Sequence, residues 1–367
     1  MKIVVAIDSF KGSATSEQLG AAAQAGVLQA APDAQVVVIP IADGGEGTLD
    51  ALQAGLGGSI ITVDTIDLLG RPIEAPYLLV NDGTGKSTAI IEAAHVVGID
   101  KITPSPQTIM EATTEGLAAL FLDARDRGVS EIVLSLGGTG TSDGGLGLLY
   151  GLGARGKALP VFDGDLDLSG LASFDGITIT ALADVTNFYA GPDGFARFFG
   201  PQKGGTDEIN AALDDKSRDV AAAVKAACGV DIQSIPGTGA AGGLGGAVAV
   251  LGAHIEPGFT KIAGLLNIEA EIAGADLVLT GEGRMDFQTA NGKVPYGMAM
   301  LAANHQVPTI ALCGAVADNL GDMDKVLLAA FSIQQSALPL AEAMDTQRTL
   351  ANLTRTVRNI IATRTGQ

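Results

Sequence analysis

Five glycine-rich loops constrain this chain more than any other feature of its sequence. They span residues 8–13, 42–48, 137–145, 199–205 and 280–295. The chain has 50 glycines in 367 residues, about twice the usual share, without the Gly-X-Y period of collagen. Each loop lies at a predicted strand-to-helix junction. In a parallel α/β sheet these junctions meet at the carboxyl ends of the strands, where ligands bind.

The first 67 residues alternate short β-branched runs with alanine-rich stretches. Strands are predicted over 2–8, 36–41 and 59–67, and helices over 16–31, capped by Ser16, and over 46–56. This β-α-β-α-β order is typical of a parallel sheet with helices on both faces.

The pattern changes after residue 67 and returns near residue 276. An antiparallel pair is predicted over 71–81 and 87–94, around an Asn-Asp-Gly turn. Strands are then predicted over 131–136, 176–184, 276–280, 309–313 and 326–332. Helices are predicted over 108–127, from 143, over 206–228, 240–251 and 258–266, from 293, and over 346–363.

These elements predict a two-domain α/β fold. Residues 1–67 and 271–367 are expected to form a Rossmann-like, three-layer, parallel-sheet domain from both chain ends. Residues 68–270 are expected to form an inserted mixed α/β domain, with the active site in the cleft between the two.

Charge and composition exclude several classes of function. A net charge of −19 argues against nucleic-acid binding and against an anionic membrane surface. Two cysteines without a CxxC motif, and three histidines without metal-ligand spacing, support neither a disulfide framework nor a zinc site. We expect a cytoplasmic enzyme, a monomer or homodimer, that acts on a small molecule.

Acids follow the first two predicted strands. Asp8 is followed by Ser9 and Lys11. Asp43 precedes two glycines that let the backbone approach a ligand closely. Polar turns before capped helices would explain the same residues without a ligand.

The last loop combines several functional groups in one stretch. Glu282, Arg284 and Asp286 follow a predicted strand, and Lys293 opens the next helix. A metal ligand, a cation and a phosphate-binding helix end are therefore expected together here.

The middle loops offer different groups. Residues 137–145 present backbone N–H groups and three hydroxyls to an anion, unless the two Gly-Gly pairs serve only tight turns. Asp184 ends a strand and is a candidate Mg²⁺ ligand or base. Lys203 lies in a loop stiffened by Gly-Pro and Gly-Gly.

Two motifs are misleading. Gly85-Lys86-Ser87 resembles the end of a phosphate-binding loop, but it lies between two strands and reads as a hairpin tip. Residues 237–242 match GxGxxG without a good preceding strand, so they predict a glycine-rich helix start rather than a dinucleotide site.

Phosphoryl transfer fits these groups best, because it needs positioning, cations, metal-binding acids and a carboxylate to accept a proton. Hydride transfer would need a stronger dinucleotide fingerprint, and serine hydrolysis a GxSxG elbow. A kinase for another small hydroxy acid, a phosphatase or mutase, and a non-catalytic nucleotide sensor remain as alternatives.

The chain resembles the bacterial glycerate kinase family. The resemblance is carried, in order along the chain, by DSFKGS (8–13), IADGGEGT (41–48), LGGTGTSDGG (136–145), DVTN (184–187), FGPQKG (199–204), GTGAAGGLG (237–245) and TGEGRMDFQTANGKVPYG (280–297). It implies a two-domain α/β fold, ATP as phosphoryl donor, Mg²⁺, and D-glycerate as acceptor. The implied product is 2-phosphoglycerate, with 3-phosphoglycerate as the other outcome.

From the resemblance and the loops together we expect three groups of site residues. The expected catalytic residues are Asp184, Asp286, Lys11 and Lys203, with Asp184 and Asp286 also binding Mg²⁺. The expected substrate-binding residues are Asp8, Ser9, Asp43 and Arg284. The expected nucleotide-binding residues are Gly137, Gly138, Thr139, Gly140, Thr141, Gly281, Gly283 and Lys293.

Overall fold

The computed structural model describes residues 1–45 and 47–366; Glu46, the first residue of the helix predicted over 46–56, lies outside them. The strands are β1 Lys2–Ile7, β2 Gln35–Val38, β3 Ser59–Ile66, β4 Pro72–Asn81, β5 Ser87–Glu92, β6 Glu131–Ser135, β7 Arg155–Gly156, β8 Leu166–Asp167, β9 Thr178–Leu182, β10 His254–Glu256, β11 Leu277–Gly281, β12 Arg284–Met285, β13 Thr309–Cys313, β14 Ala315–Val316 and β15 Ala329–Ser332.

The α-helices interleave with these strands. They are α1 Ser16–Ala30, α2 Thr48–Leu56, α3 Ala94–Val97, α4 Pro106–Glu111, α5 Leu117–Asp126, α6 Leu146–Gly151, α7 Phe195–Phe199, α8 Asp207–Cys228, α9 Leu244–Val250, α10 Gly258–Leu265, α11 Ile268–Ile272, α12 Val294–Asn304, α13 Met323–Val326, α14 Leu340–Ala343 and α15 Thr346–Thr365.

The chain divides into two compact units. The terminal unit comprises residues 1–43, 50–57 and 258–367, and the central unit comprises 44–49 and 58–257. No described helix is both long and apolar enough to cross a membrane.

The terminal unit is built on a five-stranded parallel sheet in the order β15-β13-β11-β1-β2. Ile3 and Val5 of β1 pack in a cluster with Val27 of α1 and Val357 of α15. Side chains alternate between the faces of a strand, and Val4 is buried as fully as its neighbours. Both faces of β1 are therefore covered, as its unbroken apolar run predicts.

The central unit contains a six-stranded mixed sheet in the order β10-β9-β6-β5-β4-β3. β4 pairs antiparallel with β3 and β5, and the remaining pairs are parallel. The predicted antiparallel pair is thus confirmed. Gly85 and Lys86 lie in the connection between β4 and β5, and Ser87 begins β5.

The prediction that residues 59–67 extend the terminal sheet was wrong. β3 pairs along its whole length with β4, from Ser59 opposite Leu79 to Ile66 opposite Pro72. The carboxylate of Asp67 accepts the backbone N–H groups of Leu69 at 2.8 Å and Arg71 at 3.0 Å. This tight turn reverses the direction of the chain between β3 and β4. Antiparallel strands can be joined by such a short connection. The units therefore divide at residue 57 and residue 257 rather than at 67 and 270.

Three local predictions also needed correction. The helix predicted over 108–127 is broken between α4 and α5, where Thr114 turns aside to bind Asp143. Thr15, not Ser16, caps α1, because the Ser16 hydroxyl donates to the Ile7 carbonyl at 2.6 Å. The helix predicted over 240–251 begins only at Leu244, after a 3₁₀ turn with positive φ at Gly242.

Candidate active site

Three acids follow three neighbouring strands of the terminal sheet. Asp8 follows β1, Asp43 lies beyond β2, and Glu282 follows β11. The three strands are adjacent and parallel, with Ile7 opposite Gly281 at their carboxyl ends. Consequently these carboxylates share one edge of the sheet, the edge at which ligands bind in such folds.

The charge on Asp8 is unfavourable in the folded protein. Burial raises its pKa well above the ordinary value, and the neighbouring carboxylates of Asp43 and Glu282 raise it further. The Ser9 backbone N–H, which donates to Asp8 Oδ1 at 2.7 Å, and the Lys11 ammonium lower the pKa only in part. A carboxyl group in this state is suited to proton transfer.

Glu282 and Lys293 form an ion pair at this edge. The Lys293 ammonium lies 3.2 Å from Glu282 Oε2, and the Thr289 hydroxyl donates to Glu282 Oε1 at 2.5 Å. Burial alone would lower the pKa of Lys293, but Glu282 and Asp43 raise it overall. Lys293 is therefore held as a cation at the start of α12, where the helix dipole adds positive potential.

Other predicted residues lie in the same segments with different surroundings. The Asp286 carboxylate accepts the Gln288 backbone N–H at 2.9 Å and caps a 3₁₀ turn. Arg284 is exposed, 3.9 Å from Asp286, and Lys11 is exposed. These cations can move towards a ligand at small cost.

The two glycines of the last loop differ. Gly281 is buried in β11, where a Cβ would overlap the Leu312 carbonyl oxygen of β13. It allows the two strands to pack closely, and its own carbonyl accepts the Asp8 N–H at 2.9 Å. Gly283 is only half-buried, so it is the better placed of the pair to meet a ligand.

The loop 137–145 follows β6 in the central unit, as predicted, but little of it is accessible. Gly138 is exposed and Gly137 half-buried, whereas Thr139 to Gly145 are buried. The Gly140 N–H donates to the Val97 carbonyl at 2.8 Å. Gly137 and Gly138 are therefore the accessible part of the loop, whereas Gly140 and Thr141, which were also predicted to bind nucleotide, are buried.

Two buried hydroxyls in this loop are unsatisfied. Among the described residues, Thr141 Oγ1 and Ser142 Oγ find no hydrogen-bond partner. Leaving a buried polar group unpaired costs about 1–3 kcal/mol. Because both residues are buried, these hydroxyls fit a place that a water molecule completes.

Asp143 organises the buried half of the loop. Its carboxylate accepts the N–H groups of Gly145 and Gly147 at 3.0 and 3.1 Å, and the N–H and hydroxyl of Thr114 at 2.7 and 2.8 Å. Burial raises the pKa of Asp143, and these hydrogen bonds oppose the rise.

Lys203, predicted as a catalytic cation in a stiffened loop, is almost completely enclosed. It is 2% exposed, and its ammonium donates to the Thr141 carbonyl at 2.6 Å. Burial lowers the pKa of Lys203 to about 8.

Asp184 lies two residues beyond β9 and is half-buried. Within the described residues, no group of three or more His, Cys, Asp or Glu side chains is arranged to hold a metal ion.

Sequence reasoning missed Asp143 and gave Glu282 no assigned role. Glu282 directly follows the apolar strand β11, and Asp143 lies in the glycine-rich loop after β6. These positions in the sequence were the signal that could have identified both residues. Glu92, at the end of β5, was missed as well: it is 1% exposed and accepts the N–H groups of Gly47 at 3.2 Å and Leu49 at 3.1 Å.

Parallel strands that end in clustered acids, a paired lysine and glycine-rich loops define an α/β enzyme for small anionic ligands. Comparisons with known proteins narrow this class. The model of the glycerate kinase family matches residues 3–365. Glycerate 2-kinase of Escherichia coli K12 is 36% identical over 99% of this chain and 98% of its own. A glycerate kinase of Bacillus cereus is 37% identical over 99% of this chain and 97% of its own.

A solved structure agrees with these relatives. A crystal structure of a protein proposed to be glycerate kinase 2 from Salmonella typhimurium LT2 superposes with a TM-score of 0.86. It is 35% identical and the match covers 100% of this chain and 98% of that one. The chain belongs to the glycerate kinase family, a family of phosphotransferases with an alcohol group as acceptor.

Proposed function

We propose that this protein is an ATP-dependent glycerate kinase that phosphorylates D-glycerate, with 2-phosphoglycerate as the product. Family membership over residues 3–365 supports the reaction. Among the structural features, the Glu282–Lys293 pair beside Asp8 supports it most directly. Lys293 provides a fixed cation for a phosphate. Asp8 provides a carboxylate of raised pKa that accepts a hydroxyl proton.

The terminal unit supplies the groups for proton transfer and charge neutralisation. Asp8 takes the proton of the attacking hydroxyl, because a base with a raised pKa works closer to neutral pH. Lys293 binds phosphate oxygens with the N-terminus of α12. The exposed Lys11 and Arg284 neutralise the remaining anionic groups of the substrates, and Ser9, Asp43 and Gly283 line the same edge.

The central unit supplies a backbone site for an anion. Gly137, Gly138 and Thr139 begin the loop after β6, and the exposed Gly138 has φ +73°. Amide groups presented by a glycine turn bind phosphate without a charged side chain.

Mg²⁺ is compatible with the residues present. In kinases this ion binds one or two carboxylates and completes its shell with water and phosphate oxygens. Asp184 of the central unit and Asp286 of the terminal unit are each half-buried and each offers such oxygens; their role as Mg²⁺ ligands stays a prediction. When bound, the ion would neutralise charge on the phosphates. The cytoplasmic location and the oligomeric state stay predictions.

The test is a coupled ADP-release assay with ATP, Mg²⁺ and a panel of small hydroxy acids. We expect turnover with D-glycerate, and the phosphorus NMR spectrum of the product identifies the phosphorylated carbon. Preference for another hydroxy acid would replace the substrate, and ATP binding without turnover on any acid would contradict a kinase.

A matched pair of variants tests the lysine. Lys293→Ala should lower kcat/KM for ATP at least about tenfold, the effect of removing one charged hydrogen bond. Lys325→Ala, in the same unit but 77% exposed and paired with Asp322, should leave it unchanged. Equal activities of the two variants would remove Lys293 from the site.

A further inference from the structure

Two buried charged side chains of opposite sign hold the loop 137–145 from behind. Asp143 lies within the loop and is 5% exposed, and Lys203 comes from a separate segment and is 2% exposed. The hydrogen bonds of both go largely to backbone groups of the loop and its neighbours. Burying a charge is costly unless it is hydrogen-bonded, so these contacts define where the loop can be.

The Thr141 carbonyl is the point at which three segments meet. It accepts the Lys203 ammonium at 2.6 Å. Gly242 packs so closely against it that a Cβ at Gly242 would overlap the oxygen. The Gly144 N–H then donates to the Gly242 carbonyl at 3.0 Å, and the Tyr189 hydroxyl to the Gly144 carbonyl at 2.6 Å.

Lys203 is itself fixed from the other side. It ends a 3₁₀ turn, Pro201–Lys203, and Gly204 follows with φ +96°. A Cβ at Gly204 would overlap the backbone of Ser105, which caps α4. The backbone next to Lys203 is therefore closely packed, and the Lys203 side chain contacts the buried part of the loop. The accessible part of the loop is Gly137 and Gly138.

We propose that Asp143 and Lys203 are positioning residues: they hold the loop 137–145 in its phosphate-accepting shape, and Lys203 acts through a hydrogen bond to the Thr141 carbonyl rather than by touching substrate. This assignment rests on the proposed kinase function. It also gives the segments 199–204 and 237–245 a role as supports of the loop rather than as ligand sites.

The two roles of Lys203 make different demands on its side chain. A lysine that neutralises phosphate needs its positive charge, so an uncharged replacement fails. A lysine that only supports the Thr141 carbonyl needs an N–H donor at that place. Glutamine supplies such a donor without charge, and methionine supplies neither.

The experiment compares Lys203→Gln, Lys203→Met and Asp143→Asn with the wild type in two measurements. The first is hydrogen–deuterium exchange of peptides covering 137–147 without substrates. The second is kcat and KM for ATP and D-glycerate. Lys225→Met is the control, because Lys225 lies in the same unit, is 60% exposed and pairs with Asp231.

We expect Lys203→Met and Asp143→Asn to speed loop exchange at least tenfold and to raise KM for ATP more than KM for D-glycerate. We expect Lys203→Gln to restore most of the protection and activity lost in Lys203→Met. The control should match the wild type.

Two outcomes overturn the proposal. One is a Lys203→Gln enzyme as inactive as Lys203→Met with normal loop exchange, which would show that the charge meets substrate. The other is unchanged exchange and kinetics in all three variants. If Lys203→Met fails to fold, Lys203→Gln and Asp143→Asn still decide the matter. The exchange measurement needs no catalysis, and inactivity of the wild type on every hydroxy acid would count against the proposed function alone.

Discussion

At the scale of single residues, the acids at the terminal sheet edge combine function with a cost in stability. Asp8 is kept beside Asp43 and Glu282 although burial and both neighbours raise its pKa. Groups held in unfavourable states are common where chemistry is performed, and replacing them often stabilises a protein while lowering its activity.

Asp8→Asn should therefore be more stable and less active than the wild type at pH 7. The folded-state pKa of Asp8 lies above its unfolded value, so the charged form costs stability. This cost is absent below the unfolded pKa, grows as pH rises towards the folded pKa, and persists above it. We expect the melting temperature to increase by a few degrees, and kcat to fall about 10²-fold or more if Asp8 is the base.

Urea unfolding of both proteins between pH 4 and pH 8 checks the sign. The stability gained by the variant should grow with pH across this range. A variant that is less stable at pH 7, with a deficit that widens as pH rises, would show that the Asp8 charge is favourable in the folded protein.

At the scale of elements, close backbone approaches determine how the glycine-rich segments pack. Gly242 has φ +67° and contacts the Thr141 carbonyl, and Gly252 has φ +82° with no atom within 4 Å of an added Cβ. Both positions strain any other residue, but only Gly242 also lacks space.

Gly242→Ala should consequently destabilise the protein by clearly more than Gly252→Ala. Left-handed backbone costs a residue with a Cβ about 1–2 kcal/mol, and we expect that amount for Gly252→Ala. The overlap with Thr141 should add about 1–3 kcal/mol for Gly242→Ala, as overpacking does in cores. Urea unfolding measures both, and equal losses would mean that the loop moves aside freely.

Elements whose signals are local were predictable. The helix predicted over 206–228 is α8, which begins one residue later at Asp207 because Thr206 caps it. The helix predicted over 108–127 failed because Thr114 bonds to Asp143, 29 residues away along the chain. Helical periodicity cannot report a competing partner of this kind.

At the scale of the whole molecule, each of the two units has its own sheet and hydrophobic cluster. The central unit includes β3 through its antiparallel pairing with β4, and its cluster contains Tyr77, Phe121 and Leu134. A unit with its own core can fold alone.

A fragment of residues 44–257, which contains the whole central unit together with residues 50–57, should therefore fold by itself. We expect cooperative urea unfolding and dispersed amide resonances. A fragment of residues 68–270, the division predicted from the sequence, lacks β3 and leaves the β4 edge unpaired, so it should aggregate or unfold. The division at residues 57 and 257 would be contradicted if the fragment that includes β3 were disordered and the 68–270 fragment folded.

The amino-acid sequence by itself determined the alternation of strands and helices, the loops that follow the strands, and the family. Each of these depends on patterns of contiguous residues. Only the tertiary structure decided that β3 joins the central sheet, that Glu282 pairs with Lys293, and that Lys203 is enclosed behind the loop instead of facing solvent. These features depend on strand pairing and burial between residues distant in the chain, and the free energy of a buried charge is set by neighbours that no local pattern names.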